Sequence, residues 1–299
     1  MFCIYDENQI KSLFEEHSGW QSIAVDGDSI VDYFGVRIPV RYTEYLSGRV
    51  GTRIENPPFP DDSFRASFIE YLAIVESIRD SGRVYQMAEI GASYAPFSAI
   101  CAKLALRKGV EKVVLRPVEA SLSGKESIRR NFTINGLVDE SIDMRIILAA
   151  VVDKYKDVYF PDVDCTKDNG AAPQDEFSNR DIRGAAIPMS KVRGIPLSFV
   201  IASFPFGDPI DLLHIDIQGF EKIALPPIMS VLNERVKRVM LATHSRSIEG
   251  KMMDLFHEAG WTLVAEEPCD FKYRKDISVM EGMTVKDGSQ YWINELMVR

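Results

Sequence analysis

Residues 84–95, V-Y-Q-M-A-E-I-G-A-S-Y-A, constrain the fold of this chain more than any other stretch. An apolar run reaches Glu89 and then a turn at Gly91. Phe97, Ile100, Cys101 and Leu104 follow at i, i+3, i+4 and i+7, one face of a helix. Strand, glycine turn and helix make the entry to a nucleotide-binding α/β unit, where ligands sit beyond the carboxyl ends of the strands. The turn reads E-x-G-x-x-x-A rather than the G-x-G-x-x-G of a dinucleotide site. Gly91, Ser93 and Pro96 stand at the three glycine positions. Pro96 has no N–H for a phosphate, and Ser93 puts a side chain where a pyrophosphate needs close approach. The site is shaped for a nucleoside without a pyrophosphate, and S-adenosylmethionine is the commonest such cofactor. An NAD-type oxidoreductase and a non-catalytic nucleoside-binding module on the same fold are the rival readings.

A second acidic residue extends this pattern. The strand V-V-L-R-P-V-E-A ends on Glu119 and Ala120. A carboxylate at the end of the second strand can accept both ribose hydroxyls. S-G-K-E at 123–126 reads as a capping box, and the helix it opens closes at Asn135-Gly136.

Four stretches in order now carry a resemblance. They are E-I-G-A-S-Y-A at 89–95, V-E-A at 118–120 with R-R-N-F-T-I-N-G-L at 129–137, D-L-L-H-I-D-I-Q-G-F-E at 211–221, and A-T-H-S at 242–245. Their order and spacing resemble the FkbM-type methyltransferases, a class I S-adenosylmethionine-dependent family, over roughly residues 84–265. The family hallmark resembles K-I-D-x-E-G-x-E. Here His214 stands for its Lys, Gln218 for its first Glu, and Ala95 for the last Gly of the first motif. The resemblance implies a methyltransferase (EC 2.1.1.-) and a sheet of seven strands, the last antiparallel. It also implies O-methylation of a sugar or another small hydroxylated metabolite.

The rest of the chain agrees with an α/β fold. Alternating strands and helices predict a Rossmann-like, mostly parallel sheet with helices on both faces over residues 63–299. Residues 1–62 read as a small N-terminal appendage of a short helix over 6–14 and an edge strand over 33–42. A helix on Phe64, Phe68, Leu72 and Val75 leads into the first core strand, capped by Asp62 or Ser63. Residues 144–152 read as one buried strand. Residues 161–196 are polar and aperiodic, which favours a lid over a floppy surface insertion. The formal charge of −9 argues against nucleic acid or a membrane surface as partner. No targeting segment is visible, so a cytoplasmic protein with a small-molecule or glycan acceptor is expected, its oligomeric state left open. The four cysteines make no C-x-x-C pair.

Methyl transfer from a sulfonium is mainly a matter of alignment, and an alcohol acceptor also has to lose its proton. Asp216, ending the fourth strand, and His244, ending the fifth, are the candidate catalytic residues. Asp216 faces the crevice or caps the next helix, and His244 is a base or an uninvolved loop histidine. Glu221 reads as structural or acceptor-orienting, and His214 as a hydrogen-bonded core histidine. The cofactor-binding candidates are Glu89, Gly91, Ser93, Glu119, Ala120 and Ala150. Glu89 has two readings, a partner for the cofactor's ammonium or a cap of the turn. Ala149 and Ala150 leave room for an adenine edge or simply pack the core. Asn131 and Asn135 read as helix-surface residues. A set of Asp216, His244 and Asp175 could in principle take Mg²⁺, but the spacing gives no support, so no metal is expected.

Overall fold

The computed structural model describes residues 1–42, 48–168, 170–205 and 207–298. The chain starts with β1 (Phe2–Cys3) and α1 (Glu7–Glu15). Asp6 caps α1 and forms a reciprocal pair with Gln9, each side chain bonding the other's backbone N–H at 2.9 Å. β2 (Ser29–Val31) and β3 (Arg37–Pro39) pair as a small antiparallel ribbon. α2 (Phe68–Arg79) begins later than the Phe64 pattern predicts. Asp62 Oδ1 accepts the amides of Phe64, Arg65 and Ala66, which winds residues 62–66 into a tight turn before the helix.

Two βα units follow, β4 (Val84–Ile90) with α3 (Pro96–Lys108) and β5 (Lys112–Glu119) with α4 (Gly124–Ile134). The capping box expected at 123–126 does not form. Ser123 Oγ instead lies 2.8 Å from Ser121 Oγ and accepts the Cys165 amide at 3.1 Å. The strand expected over 144–152 is three pieces, β6 (Ile142–Met144), β7 (Ile147–Leu148) and β8 (Ala150–Val152). β9 (Lys156–Pro161) and β10 (Met189–Pro196) join β8 in a separate three-stranded sheet. Then come α5 (Leu197–Ala202), β11 (Leu212–Ile215), α6 (Glu221–Ala224), α7 (Met229–Arg235), β12 (Arg238–Thr243) and α8 (Arg246–Glu258). The chain closes with β13 (Thr262–Glu267), β14 (Asp270–Phe271), β15 (Thr284–Lys286) and β16 (Gly288–Ile293).

The main sheet has the order β1-β13-β16-β12-β11-β4-β5-β6, with β7 also on β5. β6, β5, β4, β11 and β12 are parallel neighbours, whereas β16 runs antiparallel between β12 and β13. The sheet has nine strands rather than seven. β6 and β7 share one position beside β5, and β1 adds an outer edge, so the other positions match the seven expected. The chain runs outward from β4 to β6, then returns to β11 on the other side of β4. That reversal is a topological switch point, and a crevice forms beyond the strand ends there.

One apolar cluster packs α2, α3 and α4 on one face of the sheet, and another packs α5, α7 and α8 on the opposite face. Residues 1–62 pack against the α/β unit. α2 is buried nearly all round, so its outer side needs cover as well as its sheet side. Ile10, Phe14, Tyr33 and Phe34 supply that cover within the same cluster, and β1 pairs with β13.

Candidate active site at the switch point

The strand period of two decides which residues can reach the crevice. Tyr85 and Met87 face the α2–α3 cluster, and Glu89 shares their parity. By the same alternation Glu119 follows Val113 and Leu115, and His214 follows Leu212. The register sets His214 opposite Glu89. A cleft of about 620 Å³ opens beyond these strand ends. Glu89, Gly91, Ser93, Glu119, Ala120, Ala150 and Asp216 all line it, but His244 does not.

The turn after β4 is tightly wound. Gly91, Ser93 and Ala95 all have positive φ, at 81°, 51° and 57°. A Cβ on Gly91 would overlap the Asp216 carbonyl oxygen and stand 2.9 Å from the carbonyl carbon. The glycine is thus required by the approach of two strand ends across the switch point. Asn131 braces the turn from α4. Its buried amide donates to Tyr94 O at 2.9 Å and to Ala95 O at 3.2 Å. Asn135 bonds both backbone groups of Arg37, at 2.7 and 3.0 Å. Neither asparagine is the helix-surface residue expected. The R-R-N-F-T-I-N-G-L stretch is a brace, which no local pattern signals.

The amides of Gly91, Ala92, Ser93 and Ala95 in this turn are spent inside the protein. Gly91 and Ala92 donate to Val118 O, and Ser93 donates to Glu119 Oε2 at 2.7 Å. Phe97 and Ser98 donate to Glu89 at 3.3 and 2.7 Å, and Ser98 Oγ adds a bond at 2.5 Å. Both oxygens of Glu89 therefore cap α3, the second of its two expected readings, while the residue still borders the cleft. Burial pushes the Glu89 carboxyl up, opposed by His214 and these amides. Glu119 takes the Ser121 amide on Oε1 and the Ser93 amide on Oε2, each at 2.7 Å. Burial pushes its carboxyl up to about 7 against those bonds.

Asp216 does not cap α6. It contacts Gln218 Nε2 and His244 Nε2, each at 3.1 Å from Oδ1. Burial would raise its pKa, but His244 holds it below the usual range. His244 is fully buried behind Asp216, with Nδ1 3.1 Å from Glu221 Oε1. Burial opposes its charge, yet Glu221, Asp216 and Asp287 raise its pKa well above the usual value. His244 thus sits behind Asp216, in contact with it, and does not itself line the cleft. Glu221 also accepts the Ile217 amide at 3.1 Å, so it orients both the turn and the imidazole. His214 is the expected core histidine, 2.8 Å from Glu70 Oε2 and packed on Phe97.

Sequence reasoning missed Asp287 and Glu70. Asp287 sits in a Lys-Asp-Gly turn between β15 and β16, and the Asp-Gly pair was its one available signal. Asp175, the acid named for a conceivable metal set, is instead paired with Lys156 at 2.8 Å. Asp216, His244 and Asp287 do converge. Of the 161–196 stretch expected to be aperiodic, Met189–Pro196 is the strand β10, and the remainder, 162–188, reaches the turn through Ser93 Oγ, which donates to Cys165 O at 2.5 Å. All four cysteines are free thiols. No described helix is long and apolar enough to cross a membrane.

No protein-family model matches the chain. It is similar to a curated protein of Jannaschia sp. (strain CCS1) named "Putative methyltransferase", with 25% identity over 261 residues, 85% of this chain and 88% of the relative. Among solved structures it is similar to methyltransferase FkbM from Methylobacillus flagellatus (12% identity, TM-score 0.41), matching 70% of this chain but only 44% of that one. It is also similar to precorrin-6y C5,15-methyltransferase from Geobacter metallireducens (10% identity, TM-score 0.41; 77% of this chain, 89% of that one). The fold assignment stands on the strand order itself rather than on these overlays. The methyltransferase resemblance read from four motifs is thus met by a curated relative of that name, and the expected mostly parallel sheet with an antiparallel last strand by the fold.

Proposed function

We propose that the chain is an S-adenosylmethionine-dependent O-methyltransferase acting on a sugar or another small hydroxylated metabolite. The observation that carries the choice of cofactor is the occupation of the α3 N-terminus by Glu89. A dinucleotide site needs free helix amides for its pyrophosphate. Here those amides already hold a carboxylate, Pro96 has none, and the neighbouring turn amides are bonded internally. A pyrophosphate would meet negative charge instead of donors, which disfavours the NAD-type reading.

The residues fit a nucleoside with a cationic centre. The cleft volume is within the usual range for small-molecule sites, roughly 300–1,000 Å³. Glu119 uses one amide per carboxylate oxygen, which leaves a lone pair on each for the ribose hydroxyls. Gly91 and Ser93 form the wall beside the ribose and amino-acid portion. Ala120 and Ala150 are small enough to leave a slot for the adenine. The bound cofactor would supply a methyl group already activated on a sulfonium. Asp216 is the residue that orients the acceptor hydroxyl and takes its proton, held in place by Gln218 and by the His244–Glu221 pair. The excursion over 162–188, anchored to Ser93, is the lid that excludes water.

Calorimetry with S-adenosylmethionine, S-adenosylhomocysteine and NAD tests the cofactor. Binding of the first two and not of NAD is expected. Binding of NAD alone overturns the reading, and binding without any methylated product from a panel of sugars and hydroxylated metabolites supports the binding-module alternative.

A further inference from the structure

His244 carries an unspent atom. Its buried Nε2 makes no aligned hydrogen bond, although two carboxylate oxygens lie close to it. It lies 3.1 Å from Asp216 Oδ1 and 3.5 Å from Asp287 Oδ1. The three donor atoms lie within 4.8 Å of one another. Among the described residues no lysine or arginine pairs with either aspartate. Lys286, next to Asp287, is taken by Glu267 at 2.6 Å. Three carboxylates, those of Asp216, Asp287 and Glu221, therefore surround a single imidazole.

The two separations from His244 Nε2 match the ligand edges of a divalent ion. Bonds of roughly 2.1 Å place neighbouring ligand atoms roughly 3.0 Å apart at octahedral angles and roughly 3.4 Å apart at tetrahedral ones. A ligating histidine donates its other N–H to a carboxylate, which fixes the tautomer that offers a lone pair to the metal. Glu221 is so placed at Nδ1, and the Ile217 amide locks the same Oε1.

We propose that Asp216, His244 through Nε2, and Asp287 form a binding site for a divalent ion of the Mn²⁺ class on the acceptor side of the cleft. Two carboxylate oxygens and one imidazole suit Mn²⁺ and its neighbours better than an all-oxygen ion such as Ca²⁺. Asp216 and Asp287 both line the cleft, so the remaining coordination positions face water or an acceptor hydroxyl. Resting on the methyltransferase reading, the ion would hold the acceptor oxygen, while Asp216 Oδ2 is left for the acceptor's proton. Ion binding itself does not depend on that reading.

The test uses the full chain stripped with a chelator and titrated with Mn²⁺, followed by the loss of the free-ion EPR signal. No cofactor or acceptor is present, so failure of this site and failure of the methyltransferase reading are distinguishable. One ion per chain at roughly micromolar affinity is expected. Asp287 is 48% exposed, so Asp287→Asn is the variant safest for folding. It should weaken Mn²⁺ at least about tenfold with an unchanged melting curve. Glu221→Gln, acting through the orientation of His244, should weaken it roughly 10- to 100-fold. If the folded wild-type chain binds no Mn²⁺ at millimolar concentration, the cluster is a proton clamp and the proposal is overturned. If Asp287→Asn binds as tightly as wild type, the ion lies elsewhere and the proposal fails.

Discussion

Gly91→Ala probes the closest approach in the site. The substitution imposes two separable costs. Gly91 has φ of +81°, and an L-residue in the left-handed region costs roughly 1–2 kcal/mol. The new methyl also overlaps the Asp216 carbonyl, which is backbone and cannot rotate aside. Overpacking of this kind costs typically about 1–3 kcal/mol. Together they predict a loss of roughly 2–5 kcal/mol. Gly109→Ala is the matched control. Its φ is +89°, yet nothing lies within 4 Å of the added Cβ, so it should show the backbone cost alone. At about 2–4 °C per kcal/mol for a chain of this size, Gly91→Ala should melt several degrees below Gly109→Ala in the same calorimetric scan. Equal melting temperatures would refute the reasoning. Gly91 would then be small for the sake of a ligand, and only cofactor affinity should fall.

Further outcomes follow from the site. Glu119→Ala should weaken S-adenosylmethionine about 10- to 150-fold in a calorimetric titration, the value of charge-assisted hydrogen bonds of roughly 1.5–3 kcal/mol. In the wild type, cofactor affinity should rise with pH through about 7 as the Glu119 carboxyl ionises. The cofactor-free protein should behave oppositely. A carboxyl raised from 4.5 to about 7 on folding contributes stability below 4.5 that is lost as pH rises through 7, so the melting temperature should fall across that window. Asp216→Asn should cut turnover roughly 10²- to 10⁴-fold while cofactor affinity changes much less, and a methyl-transfer assay retaining full rate would remove Asp216 from the chemistry. Ser93→Ala removes the bond to Cys165 O, worth about 1 kcal/mol, so the acceptor KM should rise about fivefold with kcat little changed. An unchanged KM would detach the 162–188 segment from acceptor binding.

Much of the architecture was legible because it rests on local periodicity. The stripe on Phe97, Ile100, Cys101 and Leu104 is α3. Apolar runs ending on Glu89, Glu119 and Asp216 put three carboxylates at strand ends, since a strand buried on both faces must be apolar until it leaves the sheet. The placement of Asp216 in the cleft and of His214 in the core followed from that. Local rules failed where a side chain's partner is distant in sequence. Ser123 had the capping-box pattern, but Ser121 and the Cys165 amide claimed its hydroxyl. Asn131 looked like surface, but the turn after β4 needed a donor for its carbonyls.

The amino-acid sequence by itself determined the α/β alternation, the absence of a dinucleotide turn and the strand ends on which the chemistry sits. These are properties of one segment at a time. Only the tertiary structure decided that Glu89 belongs to a helix N-terminus, that Gly91 is required by the Asp216 carbonyl and that Asp287 joins His244 and Asp216. Each of those contacts closes a gap of many residues, from 8 between Glu89 and Phe97 to 125 between Gly91 and Asp216. Such pairings are set by the packing of whole strands and helices, and no local preference of the residues involved encodes them.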